Sequence, residues 1–154
     1  MKLIPVDRYS QAHRDVLWAL LKSRPEIACV SHKEMPTRSE HDTFVATHPY
    51  HDWCLVDVDG EIAGSVFISQ PARPSVVGDE LSIDLFEHFW GYGYATEALT
   101  LMMQRHPRDR YIANVAPNNP KSRALFERLG FKHCQDTLEL VGAHDSAQQS
   151  PDSP

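Results

Sequence analysis

Phe89-Trp90-Gly91-Tyr92-Gly93-Tyr94-Ala95-Thr96-Glu97-Ala98-Leu99 decides the reading of this chain, because a strand-like run turns into a helix there. Upstream, Glu80 to Phe86 alternates polar and apolar residues as a strand does. Downstream, Ala95, Ala98, Leu99 and Met102 keep the spacing of one helical face. Glycines at such a junction let the backbone turn tightly and aim successive amide hydrogens at an anion. A phosphate over Gly91 to Ala95 would meet unpaired helix-start donors and the positive end of the helix dipole.

Working outward, Leu3 to Val6 reads as a first strand with Pro5 favouring an edge. Ser10 caps a helix to about Lys22, and Pro25 follows it. Thr37-Arg38-Ser39-Glu40 is a capping box that opens a second helix, closed by His48-Pro49. Trp53 to Val58 and Glu61 to Ser69 form a hairpin about Asp59-Gly60. A loop at Pro71 to Ser75 leads into a strand over Val76 to Phe86, then the glycine turn and a helix to Arg105. Tyr111 to Val115 is a strand, with Tyr111 packing in the sheet, and Pro120 to Leu129 a helix ended by Gly130. Phe131 to Cys134 and Thr137 to Val141 suggest a terminal hairpin, and residues 142–154 have too little to bury and read as a disordered tail. The expected fold is a mixed α/β domain over 1–141; the hairpin excludes a purely parallel dinucleotide-binding sheet.

The chain has 154 residues, 42% of them hydrophobic, and a formal net charge of -6. That size suits one soluble domain, and no run approaches the ~20 apolar residues of a membrane span. Pro5 and Asp7 interrupt the start too soon for a signal peptide, so cytoplasm is the expected location. The acidic balance argues against a nucleic-acid surface, and the basic stretch Arg105 to Arg110 reads as a solvated helix end. Cys29, Cys54 and Cys134 are isolated and read as small buried hydrophobes. Pro49 breaks any helix that would align His48 with His51, so no metal is expected.

With these elements in this order, the chain resembles the GNAT superfamily of N-acetyltransferases, in the branch of the ribosomal-protein alanine N-acetyltransferases. The resemblance rests on Glu80 to Leu85, on Phe89 to Leu99, and on Asn119-Pro120-Lys121-Ser122-Arg123-Ala124-Leu125-Phe126-Glu127-Arg128-Leu129-Gly130-Phe131. In the superfamily's pyrophosphate motif Trp90 takes the place of a Gln or Arg, as in that branch, while Gly93 and Ala95 match. The resemblance implies acetyl-CoA as donor, with pyrophosphate over Trp90, Gly91, Tyr92, Gly93, Tyr94 and Ala95. It places pantetheine along Ile83, Asp84 and Leu85, and Asn119 and Ser122 near the cofactor.

Acyl transfer from a thioester needs a close amine, removal of its proton and help for the departing thiolate. Glu80 is the first choice of base and a substrate-orienting residue, with Asp79 and Asp84 as alternatives; Asp84 shares a strand face with Glu80. The acid that many members carry as Tyr is Phe126 here, which has no proton to give, so the Ser122 hydroxyl is the candidate donor to the thiolate. Helix capping is the rival use of Asn119. A covalent route through Cys134 lacks a neighbouring His and acid. Around the acceptor, Phe44 and Trp53 are expected, with His32, Met35, His48 and Tyr50 available. The expected acceptor is a small-molecule primary amine; a peptide amino terminus is the alternative, and a non-catalytic CoA-binding or interaction domain the third reading. The oligomeric state is not readable.

Overall fold

The computed structural model describes residues 1–25, 34–70 and 78–138. Cys29, His32, the Pro71–Ser75 loop, Val76, Val77 and the tail from 142 lie outside the described residues. The order is β1 (Lys2–Pro5), α1 (Gln11–Ser23), α2 (Arg38–Thr47), β2 (Asp52–Val58), β3 (Glu61–Ser69) and β4 (Asp79–Leu85). A 3-10 turn (Glu87–Phe89), α3 (Tyr94–Arg105), β5 (Tyr111–Ile112) and α4 (Pro120–Arg128) follow.

The five strands form one mixed sheet in the order β1-β2-β3-β4-β5, antiparallel except for the parallel pair β4 and β5. Asp59 and Gly60 join β2 to β3 with positive φ at both, 54° and 93°, the geometry that matches the twist of a hairpin. Strand alternation divides the side chains between two layers. Cys54, Val56, Val66, Ile68, Leu81 and Leu85 pack with Ala98, Leu99 and Met102 of α3 and Phe126 of α4. Trp53 and Leu55 pack on the other face with Leu17 of α1 and Val45 of α2. The helices therefore cover both faces, and the expected fold class stands. No described helix is long and apolar enough to cross a membrane.

Both capping predictions hold. Ser10 Oγ accepts from the His13 amide, and Thr37 and Glu40 make the reciprocal box. Such caps are each worth about 1 kcal/mol.

Three expected strands are corrected. β4 stops at Leu85, because Phe86 already starts the 3-10 turn. β5 has two residues rather than five: the turn Asn119 N–H to Ala116 C=O, 3.0 Å, draws the chain away towards α4. Residues 131–138 contain no strand, so the terminal hairpin is absent in its described part; 139–141 lie outside it. Phe131 is spent instead on closing α4. Its amide bonds to Phe126 C=O at 3.0 Å across Gly130 (φ 90°), and its ring meets Phe126 edge-on. The residues after it make no strand pairing among the described residues, His133 bonds only locally to Asp136 (3.0 Å), and Leu138 is 96% exposed.

Candidate active site

The short β5 leaves most of β4 without a neighbour on that side among the described residues. Pairing is limited to Asp79↔Tyr111 and Glu80↔Ile112. The Phe86 amide bonds to Ala63 C=O (2.9 Å) on the β3 side, whereas the Asp79 amide bonds to Arg110 C=O (3.2 Å) on the β5 side. Peptide groups alternate along an antiparallel strand. Those of Asp84 therefore face β3, and those of Ile83 and Leu85 face the free edge. The expected trio splits: Ile83 and Leu85 can pair with an extended ligand, while Asp84 contributes its side chain on the opposite errand. The Leu85 carbonyl is already engaged by Trp90 Nε1, 2.8 Å away.

Trp90 links three elements. Its indole holds the end of β4, its position starts the glycine turn, and Lys121 of α4 sits over its ring at 4.8 Å. Gly91 and Gly93 have φ of 84° and 87°, and a side chain at either would meet no protein atom within 4 Å. Gly93 is the N-cap of α3 and supplies no side-chain cap. The first intrahelical bond runs from the Glu97 amide to Gly93 C=O, 3.1 Å. The preceding amides of this 12-residue helix thus stand without intrahelical partners beneath open space. Tyr92 is 71% exposed and stacks loosely with Tyr94 at 5.9 Å, so neither ring closes the turn. Ala95 is in the first turn and half-buried against the core.

At the start of α4, Asn119 Oδ1 accepts from the Ser122 amide (3.1 Å), which is the rival capping use. The Ser122 hydroxyl is half-buried and bonds to no described residue. Phe126 is buried in the core, consistent with its having no acid role.

On the opposite face of the sheet lies a cavity of about 310 Å³. Leu17, Leu20 and Arg24 of α1, His41 and Phe44 of α2, Trp53 of β2, Ser65 and Phe67 of β3, and Asp84 of β4 all contribute to it, as does Tyr50. Phe44 and Trp53, expected at the acceptor, are both here. Tyr50 stacks on Phe67 at 3.7 Å and meets Trp53 edge-on at 4.9 Å. Met35 is exposed and does not line the cavity; His48 contacts it only through the Trp53 ring, at 6.1 Å.

Asp84 lines the cavity as well. Arg24 reaches it across sixty positions of sequence, with Nε at 2.8 Å and Nη2 at 2.7 Å from the same oxygen, Oδ2. Pro25 disfavours helix at Arg24, whose backbone is extended (φ -64°, ψ 124°), so the side chain leaves the helix axis. Burial pushes the Asp84 carboxyl above its usual range, although Arg24 opposes the shift. Burial likewise pushes the Tyr50 hydroxyl up to about 12, with Arg24 lowering it and Glu80 raising it, so it remains protonated. His41 is buried, which lowers its pKa and keeps it uncharged at neutral pH.

The other carboxylates diverge. Asp79 points to the α3 side of the strand, where Arg108 Nε holds it at 2.7 Å. Glu80 shares the cavity face with Asp84 but does not line the cavity. Four strand residues separate their Cα atoms by roughly 13 Å.

Sequence reasoning missed Arg24, Ser65 and Gly64. A methyl on Gly64 would overlap the Asp84 carbonyl oxygen and the Leu85 backbone, so glycine alone lets β3 approach β4 here. A lone glycine inside a strand pattern was the available signal. Arg24 offered none.

Residues 6–132 match the model of the acetyltransferase (GNAT) domain. None of the curated proteins matches the chain in sequence. Among solved structures, the chain is similar to a ribosomal-protein-alanine N-acetyltransferase from Brucella melitensis, with a TM-score of 0.70 and 16% identity over 88% of this chain and 86% of that one. It is similar to an aminoglycoside 6'-N-acetyltransferase from Acinetobacter haemolyticus, with a TM-score of 0.65 and 15% identity over 94% of this chain and 100% of the other. A phosphinothricin acetyltransferase from Sinorhizobium meliloti, solved with acetyl-CoA, gives 0.63 and 20% over 85% and 74%. These proteins are named for different acceptors, so the likenesses speak for the fold.

Proposed function

Because the chain belongs to the acetyltransferase (GNAT) domain family, as an acetyl-CoA-dependent N-acetyltransferase, we propose that it acetylates the primary amine of a small molecule by direct attack in a ternary complex. The observation that carries this reading is the aromatic cavity lined by Asp84, whose chain neighbours Ile83 and Leu85 stand on the edge of β4 left unpaired among the described residues.

The donor fits the residues present. The uncapped start of α3 offers amides to a pyrophosphate, the positive φ at Gly91 and Gly93 keeps the approach open, and the Ile83 peptide and Leu85 amide offer pairing to pantetheine. Acetyl-CoA supplies an activated acyl group. The protein supplies placement, which converts the attack into an effectively intramolecular step.

Asp84 holds the acceptor's ammonium and takes one proton from it, which frees the nitrogen lone pair to attack the thioester carbon. The C–N bond forms, the C–S bond breaks, the second N–H proton passes to water, and Ser122 Oγ hydrogen-bonds the departing thiolate, which water reprotonates. Asp84 thus assumes the role that the sequence offered first to Glu80. Glu80 stays as a second reading, through water, because its charge reaches the Tyr50 hydroxyl beside the cavity. The aromatic lining by Phe44 and Trp53 favours a small amine with an apolar body.

An amine and peptide library, followed by release of free thiol, tests the reading. Small amines should turn over and short peptides should not. Strong turnover of peptides alone would reverse the substrate class. Failure to bind CoA in calorimetry would leave an interaction domain that kept only the fold. Ser122→Ala should slow turnover about tenfold, and an unchanged rate would return Ser122 to a structural part.

A further inference from the structure

We infer that the acceptor is a free α-amino acid with an apolar or aromatic side chain, gripped as a zwitterion by Arg24 and Asp84. This rests on the small-amine reading above and adds the class of amine. Arg24 places Nε and Nη2 on a single oxygen of Asp84, Oδ2. Nη1 of Arg24 and Oδ1 of Asp84 have no described partner, and both side chains line the cavity with partial exposure, 31% and 19%. Among the described residues, this pair therefore leaves one cationic N–H group and one carboxylate oxygen for a ligand in the cavity.

An α-amino acid carries its ammonium and carboxylate on one carbon. Its ammonium meets Oδ1 while its carboxylate meets Nη1, which gives a ring of alternating charges joined by charge-assisted hydrogen bonds. A simple amine answers only Asp84 and offers nothing to Nη1 of Arg24. A peptide amino terminus puts a neutral carbonyl where the carboxylate belongs.

The remaining lining agrees. Glu40 is occupied by Thr37 at 2.7 and 2.8 Å, His41 is uncharged, and Glu34 is exposed. Beyond the ion pair, Leu17, Leu20, Phe44, Trp53 and Phe67 supply an apolar wall for the side chain.

The test compares apolar and aromatic L-amino acids with their carboxamides and with the amines lacking the carboxyl, for example phenylalanine, phenylalaninamide and 2-phenylethylamine. Thiol release is the assay, with calorimetric CoA binding alongside. The amino acid is expected to exceed both relatives in kcat/KM by about 10- to 100-fold, the scale of one charged hydrogen bond. That ratio should fall towards one in Arg24→Gln and be partly kept in Arg24→Lys. Equal or faster turnover of the amide or the simple amine by the unaltered protein overturns the inference and leaves the acetyltransferase reading standing. So does CoA binding with no turnover of any amino acid. Absence of CoA binding overturns both.

Discussion

The two regions flanking β4 are built on opposite principles. The start of α3 is a backbone site: its donors are successive amides, set by two glycines and a helix that begin within a few residues of each other. The cavity is a side-chain site, assembled from α1, α2, β2, β3 and β4. A backbone site tolerates changes of side chain and is specific for charge and shape. A side-chain site is specific for one ligand and fails when any wall is removed. If the first holds the donor and the second the acceptor, as we propose, the difference teaches that the two recognitions should respond to different kinds of mutation.

The largest expected break is at Asp84. Asp84→Asn should lower kcat about 10²- to 10⁴-fold, the usual loss for a general base, while CoA affinity is unchanged by calorimetry. Glu80→Gln should cost less than tenfold. A reversed ranking would give the base role back to Glu80. In the unaltered protein kcat/KM should fall as pH drops through the Asp84 carboxyl, above the usual carboxylate range, because burial favours its protonated form. Arg24→Gln removes the opposing cation and should move that acid limb to higher pH.

Gly64→Ala should damage both regions at once, since β4 must move to accept the methyl. Thermal unfolding is expected to register a loss of about 1–3 kcal/mol, the cost of overpacking. An unshifted transition would mean that the close approach is not required.

Gly93 separates the regions. Gly93→Val should weaken CoA about tenfold or more, because a left-handed φ of 87° costs an ordinary side chain roughly 1–2 kcal/mol and the new branch covers the helix start. Gly93→Asn, which accepts that backbone better, should lose less. If both variants bind CoA as the parent does, the anion is not held there.

Asp52 provides a control outside both sites. Burial would raise its pKa, but the hydrogen bond from His106 (2.7 Å), with Arg105 and Cys54, outweighs burial and lowers it. A carboxyl depressed on folding stabilises above its unfolded value near 3.8 and loses that stability as pH falls through the folded one. Asp52→Asn should therefore cost about 1 kcal/mol at pH 7 and flatten the acid limb of stability, with CoA binding intact.

The smallest effect is expected at Trp90. Trp90→Phe deletes the bond to the Leu85 carbonyl, worth about 0.5–1.5 kcal/mol, and should loosen the end of β4 in amide exchange.

What could be read beforehand follows the same division. The sequence by itself determined the element order, the helix caps at Ser10 and Thr37, the Asp59-Gly60 turn and the glycine turn before α3, because each depends on residues within four or five positions. Repeated apolar spacing likewise marked the buried face of α3. It failed where a partner was needed: Thr137 to Val141 has strand-like residues, but Phe131 closes onto α4 and residues 131–138 form no strand. Only the tertiary structure decided that Ile83 and Leu85, but not Asp84, present peptide groups to the free edge, since that depends on pairing parity with β3. Only it decided that Arg24 meets Asp84, and that Asp84 rather than Glu80 enters the cavity. No local rule links residues sixty apart; the closure of α1 over the sheet does.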